Sequence, residues 1–431
     1  MNSLPKTLSD WLAHLEAQHP RGAAGIELGL ARVRAVSRVL DQRQNVPVII
    51  VAGTNGKGSV CAMLERILDC AGYRVGLYTS PHLLDYNERV RIGGIPVCDA
   101  ALCRSFARVE AARGATLLTY FEFGTLAAWE CFADAGVDAI ILEVGLGGRL
   151  DAVNIYDADC AIVCAIDIDH TEYLGATREE IGFEKAGVFR AGKPAICADP
   201  APPQRLSAHA QAIGARLGVI GRDFGYLRQQ QEWQFWALQP EKHTLYAGLP
   251  HPGLRGLSQL QNACGVLAAL QTLHQRLPVT LQDIRHGLLK TTLPGRFQVL
   301  PGRPTVVLDV AHNPQAAREL AANLESQRLE GAFDAEIWAV FGMLRDKDIA
   351  AVVGALAGCV SHWLPCALPG IRAASAAELA KILAKQGIAP TRTFESAAQA
   401  FRYARESADE NDRIIAFGSF HTVADVLREL A

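Results

Sequence analysis

The chain has 431 residues, half of them apolar and a fifth charged, which is the composition of a folded globular protein and excludes a disordered or fibrous chain. Its length favours two domains over one. The 42 Lys and Arg side chains nearly balance 45 acidic ones, so the net charge of −3 provides no bulk attraction to nucleic acid or to an anionic membrane.

Cysteine usage and the chain start indicate a cellular location. The eleven cysteines are an odd number without a CxxC pair, and we expect reduced thiols in the core. The start of the chain lacks the pattern of a signal peptide, and no apolar run approaches the roughly 20 residues of a membrane helix. We therefore expect the protein to stay in the cytoplasm and to bind neither nucleic acid nor membrane.

The first chemical motif is GTNGKGS, residues 53–59, which lies between an apolar strand predicted at 46–53 and an amphipathic helix predicted at 59–71. Its glycines let backbone N–H groups surround an anion, and Lys57 can reach the β and γ phosphates of a nucleotide. The match to GxxxxGK[ST] is incomplete, because Val51 replaces the first glycine and Gly58 follows the lysine. The strand and helix nevertheless favour phosphate binding over a plain glycine turn.

The strand pattern recurs at 139–144 and at 160–166. Continuous apolar strands separated by helices indicate a parallel sheet covered on both faces, with ligands at the carboxyl ends of the strands. Glu143 ends the first of these strands before a glycine-rich segment at 145–148 and is suited to Mg²⁺ near a nucleotide, although a capping or ion-paired glutamate would have the same sequence.

A third group follows the strand at 160–166. Asp167, Asp169 and His170 stand at its end, where they could bind a metal ion or a phosphate. Lys185 lies further on in an apolar setting, where burial would lower its pKa and favour the neutral amine. A structural histidine and a surface lysine are the alternatives.

The remaining chain predicts a second, smaller domain. Residues 200–252 give a poor signal that we interpret as β-rich. A Pro- and Gly-rich segment precedes strands predicted at 305–310, 337–341 and 413–417 and a helix at 373–386. We predict an α/β protein with a mostly parallel sheet in residues 1–292, a linker at 293–304 and a second α/β domain at 305–431. Asp309 and His312 follow a strand, where they could contact a ribose or an amino acid or could cap a helix.

Nine motifs follow one another along the chain: GTNGKGS, TSPHLLDYNERVR, LTYFEFGTLAA, EVGLGGRLDAVN, DIDHTEYLG, EKAGVFR, PGRFQV, DVAHNP and FGSFHTV. Together they resemble the folylpolyglutamate synthase family within the Mur-ligase superfamily, from about residue 25 to residue 423. The segments LTYFEFGTLAA and GIELGLARV, the latter at 25–33, resemble the bifunctional bacterial members, which also make dihydrofolate, more than the single-activity ones.

The resemblance implies a P-loop NTPase-like N-terminal domain, a linker and a Rossmann-like C-terminal domain, with ATP held between the two domains. It implies nucleotide contacts at Thr54, Asn55, Gly56, Lys57, Gly58, Ser59, Asn262, Arg296 and Asp309. Two Mg²⁺ ions would be held by Ser80, Glu143, His170 and Lys185, with Lys185 carbamylated. The implied catalytic residues are Lys57, His170 and Lys185. Pteroate would lie near Ile26, Glu27, Leu28, Thr119, Tyr120, Phe121, Glu122, Leu150, Asp151 and Ala152, and the incoming glutamate near His312 and Ser419.

The chemistry implied is ATP-driven amide formation. The carboxylate of dihydropteroate or of a tetrahydrofolate would become an acyl phosphate, which the amine of L-glutamate attacks. A folylpolyglutamate synthase without the dihydropteroate activity is the close alternative. A P-loop kinase or regulatory NTPase would explain GTNGKGS but not DVAHNP. A peptidoglycan-precursor ligase would need a nucleotide-sugar domain before the loop, for which we expect the 52 residues ahead of Gly53 to be too few.

Overall fold

The computed structural model describes residues 5–18, 25–43, 45–239, 242–328 and 335–431. The chain divides into two compact units, of which the first comprises Met1–Gly253 and Leu260–Thr291 and the second Leu254–Gln259 and Thr292–Ala431. The short segment Leu254–Gln259 was not expected in the second unit. Its Leu257 N–H donates to Asn323 Oδ1 at 2.9 Å, which fastens it there.

The first unit alternates helices and strands for most of its length. Its helices are α1 (Leu8–Gln18), α2 (Ala31–Val39), α3 (Lys57–Cys70), α4 (Asp99–Arg113), α5 (Tyr120–Ala135), α6 (Thr171–Leu174), α7 (Arg178–Ala186), α8 (Gln204–Ala212), α9 (Gln259–Thr272) and α10 (Leu281–Lys290). Its strands are β1 (Val48–Ala52), β2 (Val75–Tyr78), β3 (Val90–Ile92), β4 (Ile95–Pro96), β5 (Ala139–Glu143), β6 (Cys160–Val163), β7 (Pro194–Cys197), β8 (Arg216–Val219), β9 (Phe224–Arg228), β10 (Glu232–Gln239) and β11 (Lys242–Pro250).

The described residues of this unit form an eight-stranded sheet in the order β4-β3-β2-β5-β1-β6-β7-β8. β1 pairs in parallel with β5 and β6, and only β3 and β4 at one edge run antiparallel. Every residue of β1, β2, β5, β6 and β7 is buried, as expected for strands covered on both faces. The predicted parallel sheet is confirmed.

Helix α3 begins two residues earlier than predicted. Gly56 adopts a positive φ of 92° immediately before it, and the helix starts at Lys57. The lysine therefore belongs to the first helical turn and not to the loop, because the left-handed glycine already completes the turn out of β1.

The segment that gave a poor sequence signal contains an antiparallel sheet in the order β11-β10-β9. The predicted β-rich excursion is thus confirmed, although α8 and β8 precede it. Trp233 and Phe235 alternate with outward-facing residues along β10 and are fully buried. The Trp233 indole N–H donates to the Pro250 carbonyl at 2.9 Å, so the ring is buried without an unpaired polar group.

The second unit is a smaller α/β fold. Its strands are β12 (Gln298–Leu300), β13 (Thr305–Leu308), β14 (Ile337–Phe341), β15 (His362–Pro365) and β16 (Arg413–Phe417), and its helices are α11 (Pro314–Arg328), α12 (Ile349–Leu356), α13 (Ala376–Lys385), α14 (Ala397–Ser407) and α15 (Phe420–Leu430). Within the described part the sheet order is β12-β13-β16-β14-β15, parallel except for β12. Residues 298–300 were assigned to a linker from the sequence and instead form β12. Phe341, Trp363 and Phe417 pack together in the core.

No helix in the described ranges is both long enough and apolar enough to cross a membrane.

Helix α10 lies so close to α3 that residue 287 has no room for a side chain. A Cβ on Gly287 would lie 2.6 Å from the Ile67 Cα. We predict that Gly287→Ala lowers the free energy of unfolding by about 1–3 kcal/mol, because the overlap outweighs the better helix propensity of alanine. Gly354→Ala in α12 is the matched control, since its nearest neighbour would be a Gln386 side-chain oxygen at 3.5 Å.

Urea unfolding followed by circular dichroism measures both variants. The control should be unchanged or more stable by up to about 1 kcal/mol. A Gly287→Ala protein as stable as the parent would mean that α10 moves away from α3 without cost, which would contradict the close packing described above.

Candidate active site

The loop between β1 and α3 is compact and is held against the end of β6. Gly53 and Gly56 have φ values of 152° and 92°. A Cβ on Gly53 would lie 2.8 Å from the Cys164 Cβ, and one on Gly56 would lie 2.6 Å from Asn262 Oδ1. Both glycines are therefore required by conformation and by space. The structure thus brings Asn262 of α9, a predicted nucleotide contact, beside the loop.

Lys57 lies across this loop. Its Nζ donates to the Gly53 carbonyl at 2.9 Å and to the Thr54 carbonyl at 3.2 Å. The ammonium group is thereby held over the N-terminus of α3, where the helix dipole also favours an anion. Ser59, a predicted nucleotide contact, lies in the first turn of α3 at 3% exposure.

Two strand ends next to the loop carry oxygen donors. Glu143 ends β5, and Ser80 follows the neighbouring β2. The Ser80 N–H donates to Glu143 Oε2 at 3.1 Å, so the carboxylate and the serine are adjacent. Glu143 is 4% exposed, and carboxylate and hydroxyl oxygens, such as those of Glu143 and Ser80, are ligands that suit a hard divalent cation.

Lys185 is buried on α7 beneath the glycine-rich segment. A Cβ on Gly148 would lie 3.1 Å from the Lys185 Cα, and the Arg149 N–H donates to the Glu184 carbonyl at 2.8 Å. Burial and, to a smaller extent, the charge of Lys57 lower the pKa of Lys185 to about 7. The surface-lysine interpretation is therefore wrong, and an appreciable fraction of the amine is neutral at neutral pH.

The buried Cys164 thiol shows that the predicted residues converge. Burial raises its pKa; the charges of Lys57 and Lys185 lower it, while that of Glu143 raises it. All three side chains thus lie within electrostatic range of one buried atom at the end of β6. Cys164 also packs against Gly53, so this buried thiol lies directly against the loop.

His170 follows β6 in a left-handed conformation, with φ 52°, at the start of α6. Its backbone N–H donates to Asp169 Oδ1 at 2.9 Å, and its Nε2 lies 3.9 Å from Asp169 Oδ2. Nowhere in the described ranges do three His, Cys, Asp or Glu side chains gather to enclose an ion by themselves. The predicted metal set includes only two such side chains, Glu143 and His170, so a site here would also use serine, lysine-derived or phosphate oxygens.

The three segments expected to hold pteroate come together in the first unit. The Gly29 N–H donates to the Leu150 carbonyl at 3.2 Å, and Arg32 bridges Glu27 at 3.0 Å and Glu122 at 3.1 Å. These bonds join residues 26–28, 119–122 and 150–152 into one wall.

Two acidic side chains in that wall already have structural partners. Glu122 accepts from the Thr119 N–H at 2.8 Å in a capping box at the start of α5. Asp151 accepts from Leu146 N–H and Val153 N–H at 2.8 and 3.0 Å, and burial raises its pKa to about 7. Both carboxylates therefore support the backbone of the wall.

The second unit carries its own group of predicted residues after β13. Asp309 accepts from the Phe297 N–H at 2.8 Å and from the Ala311 N–H at 2.7 Å. Burial raises the pKa of Asp309, and the nearby charge of Arg296 opposes this shift. Arg296 directly precedes Phe297, whose N–H bonds Asp309, and its guanidinium lies over the Phe420 ring, 5.3 Å from the centroid.

His312 and Ser419 both lie next to Phe420: the His312 ring is near the Phe420 ring, and Ser419 is the preceding residue. His312 Nδ1 lies 2.8 Å from the Val310 carbonyl, and its ring is 6.3 Å from that of Phe420. Ser419 is the N-cap of α15, where its hydroxyl accepts from the His421 N–H at 3.2 Å. Capping accounts for Ser419 in this unit without a ligand.

The sequence analysis missed two residues at the carboxyl end of β7, which lies next to β6 in the sheet of the first unit. Asp199 lies just beyond β7 and is buried, and Arg178 of α7 donates to it at 3.0 Å. A carboxylate just after a buried strand is the pattern that identified Glu143, and it could have identified Asp199 as well.

Comparison with known proteins gives the same architecture for both units. Residues 51–223 match the family model of the Mur ligase middle domain, and residues 295–420 match that of the Mur ligase glutamate ligase domain. The dihydrofolate synthase/folylpolyglutamate synthase of Escherichia coli K12 is 44% identical over 421 residues, which cover 97% of this chain and 94% of that protein.

Solved structures agree over the full length. E. coli FolC in complex with DHPP and ADP is 42% identical and superposes with a TM-score of 0.92 over 100% of this chain and 99% of that one. A bifunctional folylpolyglutamate synthase/dihydrofolate synthase with Mn, AMPPNP and L-glutamate bound is 44% identical, with a TM-score of 0.89 over 100% of both chains. The chain therefore belongs to the dihydrofolate synthase/folylpolyglutamate synthase family of Mur-type ligases.

Proposed function

We propose that this protein is an ATP-dependent ligase that adds L-glutamate to 7,8-dihydropteroate, forming dihydrofolate, and adds further γ-linked glutamates to tetrahydrofolates. The observation that carries the proposal is the geometry at this end of the sheet: Lys57 lies across the loop, Glu143 is in register with Val51 just before the loop, and Lys185 is buried beneath the glycine-rich segment. Full-length similarity to bifunctional relatives supports both activities.

The reaction needs a carboxylate to become an electrophile. Transfer of the γ-phosphate of ATP to the pteroate or folate carboxylate forms an acyl phosphate, and the amine of L-glutamate displaces phosphate from it to form the amide. Lys57, held over the N-terminus of α3, stabilises the negative charge that develops on the transferred phosphoryl group. Asn55, Gly56 and Gly58 complete the phosphate contacts, with Asn262 beside them.

A divalent cation fits the donor set next to the loop. A relative has Mn bound together with AMPPNP, and the hard oxygen donors of Ser80 and Glu143 here suit Mg²⁺ or Mn²⁺. We assign Ser80, Glu143, His170 and Lys185 as its ligands, at two Mg²⁺ ions. When bound, the cations would neutralise charge on the phosphate oxygens.

Lys185 contributes as a carbamate in this proposal. Its neutral amine attacks the carbon of CO₂, a bond forms between Nζ and that carbon, and one proton is released, which leaves an anionic oxygen donor. The lowered pKa of Lys185 favours the neutral amine that this addition requires.

The remaining substrates occupy the other predicted groups. Pteroate lies along the wall formed by residues 26–28, 119–122 and 150–152. Arg296 and Asp309 contact the nucleotide, and His312 and Ser419 contact the incoming glutamate. We place the protein in the cytoplasm as a monomer with these small molecules as its partners.

Two assays separate this function from its alternatives. We predict ATP-dependent ligation of labelled L-glutamate both to 7,8-dihydropteroate and to tetrahydrofolate. Activity with tetrahydrofolate alone would leave a folylpolyglutamate synthase only. ATP hydrolysis without an amide product would instead indicate a kinase-like or regulatory NTPase.

We predict that Lys57→Ala lowers kcat for both acceptors by at least about 100-fold, because it removes a charge aimed at the transferred phosphoryl group. Circular dichroism should show an intact fold. Lys193→Ala is the matched control, since Lys193 is half exposed and pairs with Asp159 away from the loop. Turnover of Lys57→Ala close to that of the control would contradict the assigned role.

We predict that Lys185→Ala abolishes ligation, that bicarbonate does not restore it and that a small added carboxylate restores part of it, because the carboxylate replaces the missing oxygen donor. A crystal structure of the parent protein grown with bicarbonate should show density for a carbamate on Nζ. An unmodified amine in a fully active crystal would argue against the modification.

A further inference from the structure

The turn at residues 165–167, between β6 and the segment that carries Asp169 and His170, is bonded on both sides by side chains from other elements. We propose that Thr54, Arg178 and Asp199 are positioning residues that fix this turn to the phosphate-binding loop and thereby set where Asp169 and His170 lie. This inference rests on the proposed function, since it concerns how the metal-binding segment is held.

Thr54 connects the loop to the turn. Its hydroxyl donates to the Asp167 carbonyl at 2.9 Å and accepts from the Asp167 N–H at 3.1 Å. Its own N–H donates to the Ala165 carbonyl at 2.7 Å, next to a backbone bridge between Asn55 and Ala165. Thr54 stays a predicted phosphate contact, and in the structure both its N–H and its hydroxyl are bonded to the turn.

Asp199 and Arg178 hold the turn from the opposite side. Asp199 Oδ2 accepts from the Ile166 N–H at 2.8 Å, and Oδ1 accepts from the Ala201 N–H at 2.9 Å. Arg178 Nε donates to the Ile166 carbonyl at 2.9 Å, and its Nη2 donates to Asp199 Oδ2 at 3.0 Å. Because these bonds involve charged groups and a buried carboxylate, they are stronger than neutral ones and are costly to break.

Together the three residues bond every backbone polar group from the Ala165 carbonyl to the Asp167 carbonyl, the Ala165 carbonyl through the Thr54 backbone N–H and the other four groups through side chains. A shift of the turn would therefore break several of these bonds at once, including both bonds of the buried Ile166. Asp169 and His170 follow within three residues, and His170 itself adopts a left-handed backbone. The Thr54 hydroxyl thus connects the proposed nucleotide-binding loop directly to the segment that carries His170.

The three residues act through others and touch no reacting atom in this assignment. Residues that orient metal ligands in this way typically change metal affinity by about 10- to 100-fold when they are replaced. A role in stability alone would instead lower the unfolding midpoint and leave the metal affinity of the folded protein unchanged.

The test compares Thr54→Val, which keeps the shape and loses the hydroxyl, with Thr54→Ser, which keeps the hydroxyl. Mn²⁺ binding to the AMPPNP complex is measured by calorimetry at a temperature where all variants are folded. We expect Thr54→Val to weaken Mn²⁺ binding about 10-fold or more and Thr54→Ser to stay within about threefold of the parent. In kinetic assays, kcat should fall in Thr54→Val while KM for L-glutamate is unchanged.

A second measurement needs no metal or nucleotide. Hydrogen–deuterium exchange of the parent should show protection of the peptide that spans residues 165–168. We expect faster exchange of that peptide in Thr54→Val and in Asp199→Asn, and parental exchange in Thr54→Ser.

The two readouts separate this inference from the proposed function. Parental Mn²⁺ affinity in folded Thr54→Val, or parental exchange at residues 165–168, would overturn the positioning role even if ligation is fully active. Weakened Mn²⁺ binding and faster exchange would support it even if the parent protein failed to ligate glutamate, in which case only the proposed substrates would be wrong.

Discussion

The parallel pairing of β1 with β5 and β6 fixes the level at which each site segment of the first unit leaves the sheet. Val51 is in register with Glu143, and Ala52 is in register with Val163. The phosphate loop, Glu143 and the turn at 165–167 therefore start at the same edge, because parallel strands share one carboxyl end. A slip of one residue in β1 would turn its side chains to the opposite faces of the sheet and displace the loop from Glu143.

Two lysine side chains, Lys57 and the buried Lys185, lie near each other at this edge of the sheet. Burial, and after it the nearby charge of Lys57, lower the pKa of Lys185 to about 7. An anion bound over the loop offsets the repulsion between the two amines, since it is attracted to both. This arrangement supports the proposed binding of a polyphosphate over the loop.

The fold and the site differ in how much of each could be predicted. The strands at 48–52, 139–143 and 337–341 were identified because uninterrupted apolar runs reflect burial on both faces. The hydrogen bonds of Thr54 to Asp167 could not be predicted, because they join residues 113 positions apart and depend on strand order. For the same reason β12 was taken as a linker: its short sequence has no strong pattern, and its pairing with β13 defines it as a strand.

The glycine after Lys57 bears on where the ligands of the proposed metal site come from. In the common phosphate-loop pattern a hydroxyl residue follows the lysine and binds the metal ion, whereas here that position is Gly58. Ser59, one residue further, is rotated by about 100° around α3 and is buried. In the proposed site the serine ligand therefore comes from another segment: Ser80 follows β2, and its N–H donates to Glu143 at the end of the adjacent β5. The proposed pairing of Ser80 with Glu143 at a metal ion thus depends on the pairing of β2 with β5 as much as on the loop itself.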